Sequence, residues 1–122
     1  MSRDALSVLV VEDEMLIRMS VVDEFEDAGF NVLEAANADE ALKLLAIHPE
    51  IEAVFTDIDM PGSIDGMKLA ELVQLSHPDM AILLTSGYLK VPKSDLPYQF
   101  AFVAKPYDVS RVVNHIRGLT VR

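Results

Sequence analysis

No cysteine occurs anywhere in the chain. Its absence removes disulfides, thiolate chemistry and zinc–thiolate sites together, and fits a reducing compartment. Nor does any stretch approach the roughly 20 consecutive apolar residues that would span a bilayer, and the opening MSRDALSVLVVEDE turns acidic too early for a secretory leader. Positive charge is scarce: 10 Lys and Arg stand against 20 Asp and Glu, a formal net charge of −10. With no basic stripe to displace counterions from phosphates, direct nucleic-acid binding is disfavoured. The expectation is a cytoplasmic protein without membrane insertion and without direct nucleic-acid contact.

What is present is an alternation. The chain has 122 residues, 51% of them hydrophobic, enough to bury one core. SVLVV (7–11) is a β-branched run of the kind buried on both faces. Met15, Met19, Val22 and Phe25 then recur at helical spacing until Ala28-Gly29. Val32 and Leu33 suggest a short second strand. Asn37 with Glu40 three residues on resembles a capping box, and Ala41, Leu44 and Leu45 continue that helix to His48-Pro49. AVFT (53–56), AILLT (81–85) and FAFVA (100–104) read as strands three, four and five. Between the third and fourth, Leu69, Leu72 and Val73 mark a helix ending at His77-Pro78. Asp108 can cap a last helix with Val109, Val112, Val113 and Ile116 on one face.

Strands alternating with helices imply right-handed crossovers and a parallel sheet covered on both faces. In the open order 2-1-3-4-5 the direction of winding reverses between strands 1 and 3, and a crevice opens at their carboxyl ends. Glu12-Asp13 follows strand 1 and Asp57 follows strand 3, so two distant strand ends deliver carboxylates to one cleft. Such acids repel unless a cation sits among them, and the simplest is Mg²⁺, with Mn²⁺ able to take its place. Thr85 and Lys105, at the ends of strands 4 and 5, fall on the same rim.

VLVVEDE, TDIDMPG, LLTSG and VAKPY, in that order and at these separations, resemble the receiver domain of two-component response regulators, the CheY-like phosphorelay family. The resemblance covers essentially the whole of 1–122 as a single receiver domain, a flavodoxin-like three-layer sandwich. It implies that Asp57 is the phosphoacceptor, that Glu12, Asp13, Asp57 and the backbone carbonyl of Asp59 hold the metal, and that Lys105 pairs with the phosphoryl group. It also implies that Thr85 is the switch hydroxyl, that Phe102 stands at the aromatic switch position, and that the Lys105-Pro106 bond is cis. The partners it implies are a sensor histidine kinase or histidine phosphotransfer protein upstream and a target protein downstream. The chemistry agrees: a carboxylate attacking the phosphorus of a phosphohistidine needs the incoming negative charge neutralised, as a divalent metal and Lys105 would do.

Two other classes compete. Asp57-Ile58-Asp59 also matches the DxD motif of haloacid-dehalogenase-type phosphatases, but there the strand usually comes first, the second acidic pair follows it, and a cap domain is common. A pseudo-receiver that only docks is countered by the complete set Glu12, Asp13, Asp57, Thr85 and Lys105. For the Asp59 side chain two readings stand: a solvated carboxylate, or a charge that tunes metal affinity and phosphoryl lifetime. Gly87 leaves the matching position open. The three histidines show no metal-site spacing, the methionines read as core filler, and Arg111, Arg117 and Arg122 read as a surface fringe.

Two departures from the family stand out. The loop MPGSIDG (60–66) is one residue longer than usual. In GYLKVPKSDLPYQ (87–99) the family places a further helix, yet Pro92 and Pro97 each remove a donor, so a degraded helix is expected. Nothing resembling an output domain follows the last helix, which leaves signalling by contact alone or a piece of a larger protein.

Overall fold

In the computed structural model, residues 6–60, 64–87 and 100–120 are described. The element order is β1 (Ser7–Val11), α1 (Met15–Asp27), β2 (Asn31–Ala35), α2 (Ala38–Ile47), β3 (Ile51–Asp57), α3 (Gly66–Ser76), β4 (Ala81–Ser86), β5 (Phe100–Ala104) and α4 (Val109–Leu119). The five strands are parallel in the order β2-β1-β3-β4-β5, as the alternation predicts. Part of the MPGSIDG loop (61–63) and the expected degraded helix (88–99) lie outside the described residues.

The strand runs are continuously apolar because helices cover both faces. Leu9, Val11, Val54, Ile82 and Leu84 point toward α2 and α3, meeting Ala41, Leu45, Leu69 and Val73. Val8, Val10, Phe55 and Leu83 point the other way, toward α1 and α4, where they meet Val22, Phe25, Val112 and Ile116. A period of two along each strand thus sorts one run between two cores.

The helix ends follow local chemistry. Asn37 Oδ1 accepts from the Glu40 amide at 2.9 Å, and Glu40 Oε1 accepts from the Ala36 amide at 2.8 Å, so the box closes one residue upstream of the cap. Asp65 and Asp108 cap α3 and α4 by accepting from Lys68 and Ser110 amides. Gly29, with φ of +96°, ends the α1 turn in a conformation that suits glycine.

Two sequence expectations need correction. Met15 and Met19 are 61% and 50% exposed; the buried stripe of α1 is Val21, Val22 and Phe25. Met60 and Met80 are core methionines, but those two are not. Arg117 is also more than a fringe charge: its guanidinium lies 5.5 Å from the Phe30 ring centroid and donates to the Ala28 carbonyl at 3.0 Å, tying α4 to the end of α1.

Candidate functional site

Strand register brings the expected residues to one crest. β3 and β4 set Asp57 beside Thr85, and β1 ends at Val11 so that Glu12-Asp13 turn over the same edge. The cis Lys105-Pro106 bond, implied by the resemblance, is present just after β5. Glu12 is fixed on three sides: its N–H donates to the Ala35 carbonyl at 3.0 Å, its carbonyl accepts from Arg18 Nη1 at 2.8 Å, and Oε2 accepts from the Glu14 amide at 3.1 Å. Arg18 is in turn held by Glu34 Oε1 at 2.9 Å. The sequence reading missed Arg18, because a single arginine six residues past Glu12 forms no recognisable pattern.

Asp57 is 3% exposed and both its oxygens are engaged. Oδ2 accepts from Lys105 Nζ at 2.6 Å and Oδ1 from the Asp59 amide at 2.9 Å. Lys105 Nζ also lies 3.9 Å from Glu12 Oε1. Carboxylate oxygens of Glu12, Asp13 and Asp57 all fall within 4.8 Å of one another. Burial first, and then the neighbouring charge of Asp57, push the Glu12 carboxyl up from 4.5 to about 7, against the lowering effect of the Glu14 amide and Lys105. Burial alone would lower the Lys105 ammonium, but the hydrogen bond and charge of Asp57, with Glu12 behind them, raise it. Burial and the Glu12 charge also push the Tyr107 hydroxyl up to about 12.

Three carboxylates and one ammonium leave two formal negative charges when all are ionised, which a single divalent cation would balance. The donor set is of hard oxygens, as Mg²⁺ or Ca²⁺ requires, with no nitrogen or sulfur among the clustered ligands. The residues therefore fit a hard divalent ion.

Thr85 is buried, and among the described residues its Oγ1 has no hydrogen-bond partner. Phe102 is partly buried against the α2–α3 core. The register sets Thr85 beside Val103 and Phe102 beside Leu84, so the two expected switch side chains stand one position out of step on adjacent strands. Asp59 is not simply solvated: Oδ2 accepts from Ser86 Oγ at 2.5 Å. Ser86 lay within the LLTSG motif but carried no signal of its own. Gly66 was also missed; a Cβ there would overlap the Asp57 carbonyl and sit 2.7 Å from Ile58 Cα, so only glycine lets α3 start against the end of β3.

Exposed apolar surface flanks this crest. Leu16 is 82% exposed beside Met15 and Met19, at one wall of a groove of about 560 Å³ that runs past Ile17, Ser20 and Val21 to Lys105 and Tyr107.

A 2-1-3-4-5 parallel sheet with acids from β1 and β3 at its switch point and a lysine after β5 is the architecture of a signal receiver. Residues 8–117 match the family model described as the response regulator receiver domain, and the chain belongs to that family. An NtrX-like response regulator of Rickettsia felis is 33% identical over 112 residues, 88% of this chain but 23% of that relative. The response regulator receiver protein CpdR of Brucella abortus is 31% identical over 117 residues, 93% of this chain and 96% of that one. Among solved structures, the CheX–CheY–BeF3–Mg²⁺ complex from Borrelia burgdorferi superposes with a TM-score of 0.79 at 25% identity, over 96% of this chain and 90% of that one. The chain thus spans about a quarter of the length of the NtrX-like relative and nearly all of CpdR.

Proposed function

We propose that this receiver accepts a phosphoryl group from a phosphohistidine onto Asp57, with Mg²⁺ held by Glu12, Asp13, Asp57 and the Asp59 carbonyl, and thereby changes a protein-binding surface in the cytoplasm. The observation that carries this reading is the buried Asp57 carboxylate, gripped by Lys105 at 2.6 Å and surrounded by a charge deficit that fits one divalent ion. When bound, the ion neutralises anionic oxygens of both the incoming phosphoryl group and the acids.

The chain's own residues account for the rest. A carboxylate oxygen of Asp57 forms the new P–O bond as the N–P bond of the phosphohistidine breaks, the electron pair leaving with the imidazole. Lys105, already on Asp57 Oδ2, passes its hydrogen bonding to a phosphoryl oxygen. The product carries about −1.5 to −2 charges and new acceptors. Thr85 Oγ1, buried and unpartnered among the described residues, gains a partner by turning toward them. That movement alters the β4–β5 edge where Phe102 packs. The protein is a signalling receiver that catalyses only its own phosphorylation and dephosphorylation.

Incubation with acetyl phosphate and Mg²⁺ tests the reading through intact mass. One phosphoryl group is expected on the wild type, none on Asp57→Asn and none in chelator. Equal labelling of Asp57→Asn would overturn it, and rapid turnover of an added phosphate ester would favour a phosphatase.

A further inference from the structure

Ser86 closes β4 next to Thr85 and is 1% exposed. Its hydroxyl donates to Asp59 Oδ2 at 2.5 Å, a charge-assisted bond of the shorter and stronger kind. Asp59 is tied at its backbone as well, its N–H donating to Asp57 Oδ1 at 2.9 Å. A partly exposed carboxylate next to the acceptor would ordinarily sample several rotamers; here a buried donor on the neighbouring strand holds it. Asp59 Oδ1 has no protein donor among the described residues. Beside Ser86, Gly87 has no side chain; a Cβ there would lie in ordinary contact with the Lys105 stem, 3.7 Å away, and glycine leaves that position to solvent.

We infer that Ser86 is a positioning residue for loss of the phosphoryl group from Asp57: it fixes the Asp59 carboxylate so that Oδ1 orients an attacking water. The inference rests on Asp57 carrying the phosphoryl group. In the step concerned, the water oxygen forms a bond to phosphorus and the P–O bond to Asp57 breaks. The electron pair returns to the Asp57 carboxylate, and inorganic phosphate keeps the water's oxygen and one of its protons, the other passing to solvent. Asp59 accepts a hydrogen bond from the water throughout, and Ser86 touches neither water nor phosphorus. Its influence on the water passes through Asp59, which makes the two residues thermodynamically coupled.

The test is the decay of phosphorylated protein in Mg²⁺, followed by intact mass after excess acetyl phosphate is removed, for wild type, Ser86→Ala, Ser86→Thr, Asp59→Asn and the Ser86→Ala/Asp59→Asn double variant. Ser86→Ala and Asp59→Asn should each lengthen the half-life by about three- to tenfold, less than the 10²–10⁴ of a full general base. The double variant should match Asp59→Asn, and Ser86→Thr, which keeps the hydroxyl, should stay within about twofold of wild type. A wild-type half-life in Ser86→Ala, the same lengthening by Ser86→Ala in both the Asp59 and the Asn backgrounds, or a Ser86→Thr variant as slow as Ser86→Ala would overturn the inference. Failure of the wild type to take up any phosphoryl group would instead overturn the Asp57 reading and this inference with it.

Discussion

At the residue scale, Glu12 carries a consequence for stability. Its folded value of about 7 lies above the ordinary 4.5, so between these the folded protein binds more protons than the unfolded chain. The Glu12 contribution is therefore full below pH 4.5 and is lost as pH rises through about 7, a difference of roughly 3 kcal/mol. In chelator-treated protein, urea midpoints at pH 5.5 and 8 should fall more for the wild type than for Glu12→Gln, which cannot ionise. Identical pH dependence in the two proteins would show that Glu12 is not held in this way. Asp57, Glu12, Asp13 and Lys105 were legible in the sequence because each ends or follows a strand. Arg18, Ser86 and Gly66 were not, since a carbonyl ligand, a side-chain tie across two strands and a missing Cβ leave no periodic trace.

At the scale of elements, the start of α3 is set by one close approach. Gly66 N–H donates to the Ile58 carbonyl at 3.0 Å, and its Cα faces the backbone of Asp57 and Ile58. Gly66→Ala forces α3 away from β3 and should cost about 1–3 kcal/mol in urea unfolding, the range of overpacking at a site that cannot yield. It should also weaken Mg²⁺ binding, because the displaced backbone carries Asp57. Wild-type stability and metal affinity would mean that the loop absorbs the methyl group. The first turn of α1 makes the opposite case. Met15, Leu16 and Met19 are exposed beside the acids; on the proposed function a phosphohistidine protein touches the crest there to reach Asp57, and an apolar cluster at that place suits a partner. Leu16→Asp should leave labelling by acetyl phosphate near wild type while slowing transfer from a cognate phosphohistidine protein by at least about tenfold, the worth of one buried apolar anchor. Equal slowing with both donors would locate the fault in the site, not the surface. Helical spacing marked Met15 and Met19 correctly as one face, but spacing alone does not say whether that face is buried.

For the molecule as a whole, the order of the sheet was legible because alternation, handedness and continuous apolar strands admit few topologies. Acidity was equally plain, but the crest holds little of it: three carboxylates and Lys105 leave two of the ten formal negative charges there. No helix among the described residues is long and apolar enough to cross a membrane. The two cores, one on each face, leave the carboxyl edge of the sheet as the place where charge, a buried hydroxyl and apolar surface meet. On the proposed function, a signal entering there reaches β4 and β5 through the register that sets Asp57 beside Thr85. The most direct measurement locates the phosphoryl group itself. After labelling with acetyl phosphate and Mg²⁺, borohydride reduces an aspartyl phosphate to homoserine, and peptide mass mapping reads which aspartate was changed. Homoserine at position 57 alone is the expected result; homoserine at 13 or 59, or at no position in protein that has gained the phosphoryl mass, would contradict Asp57 as the acceptor.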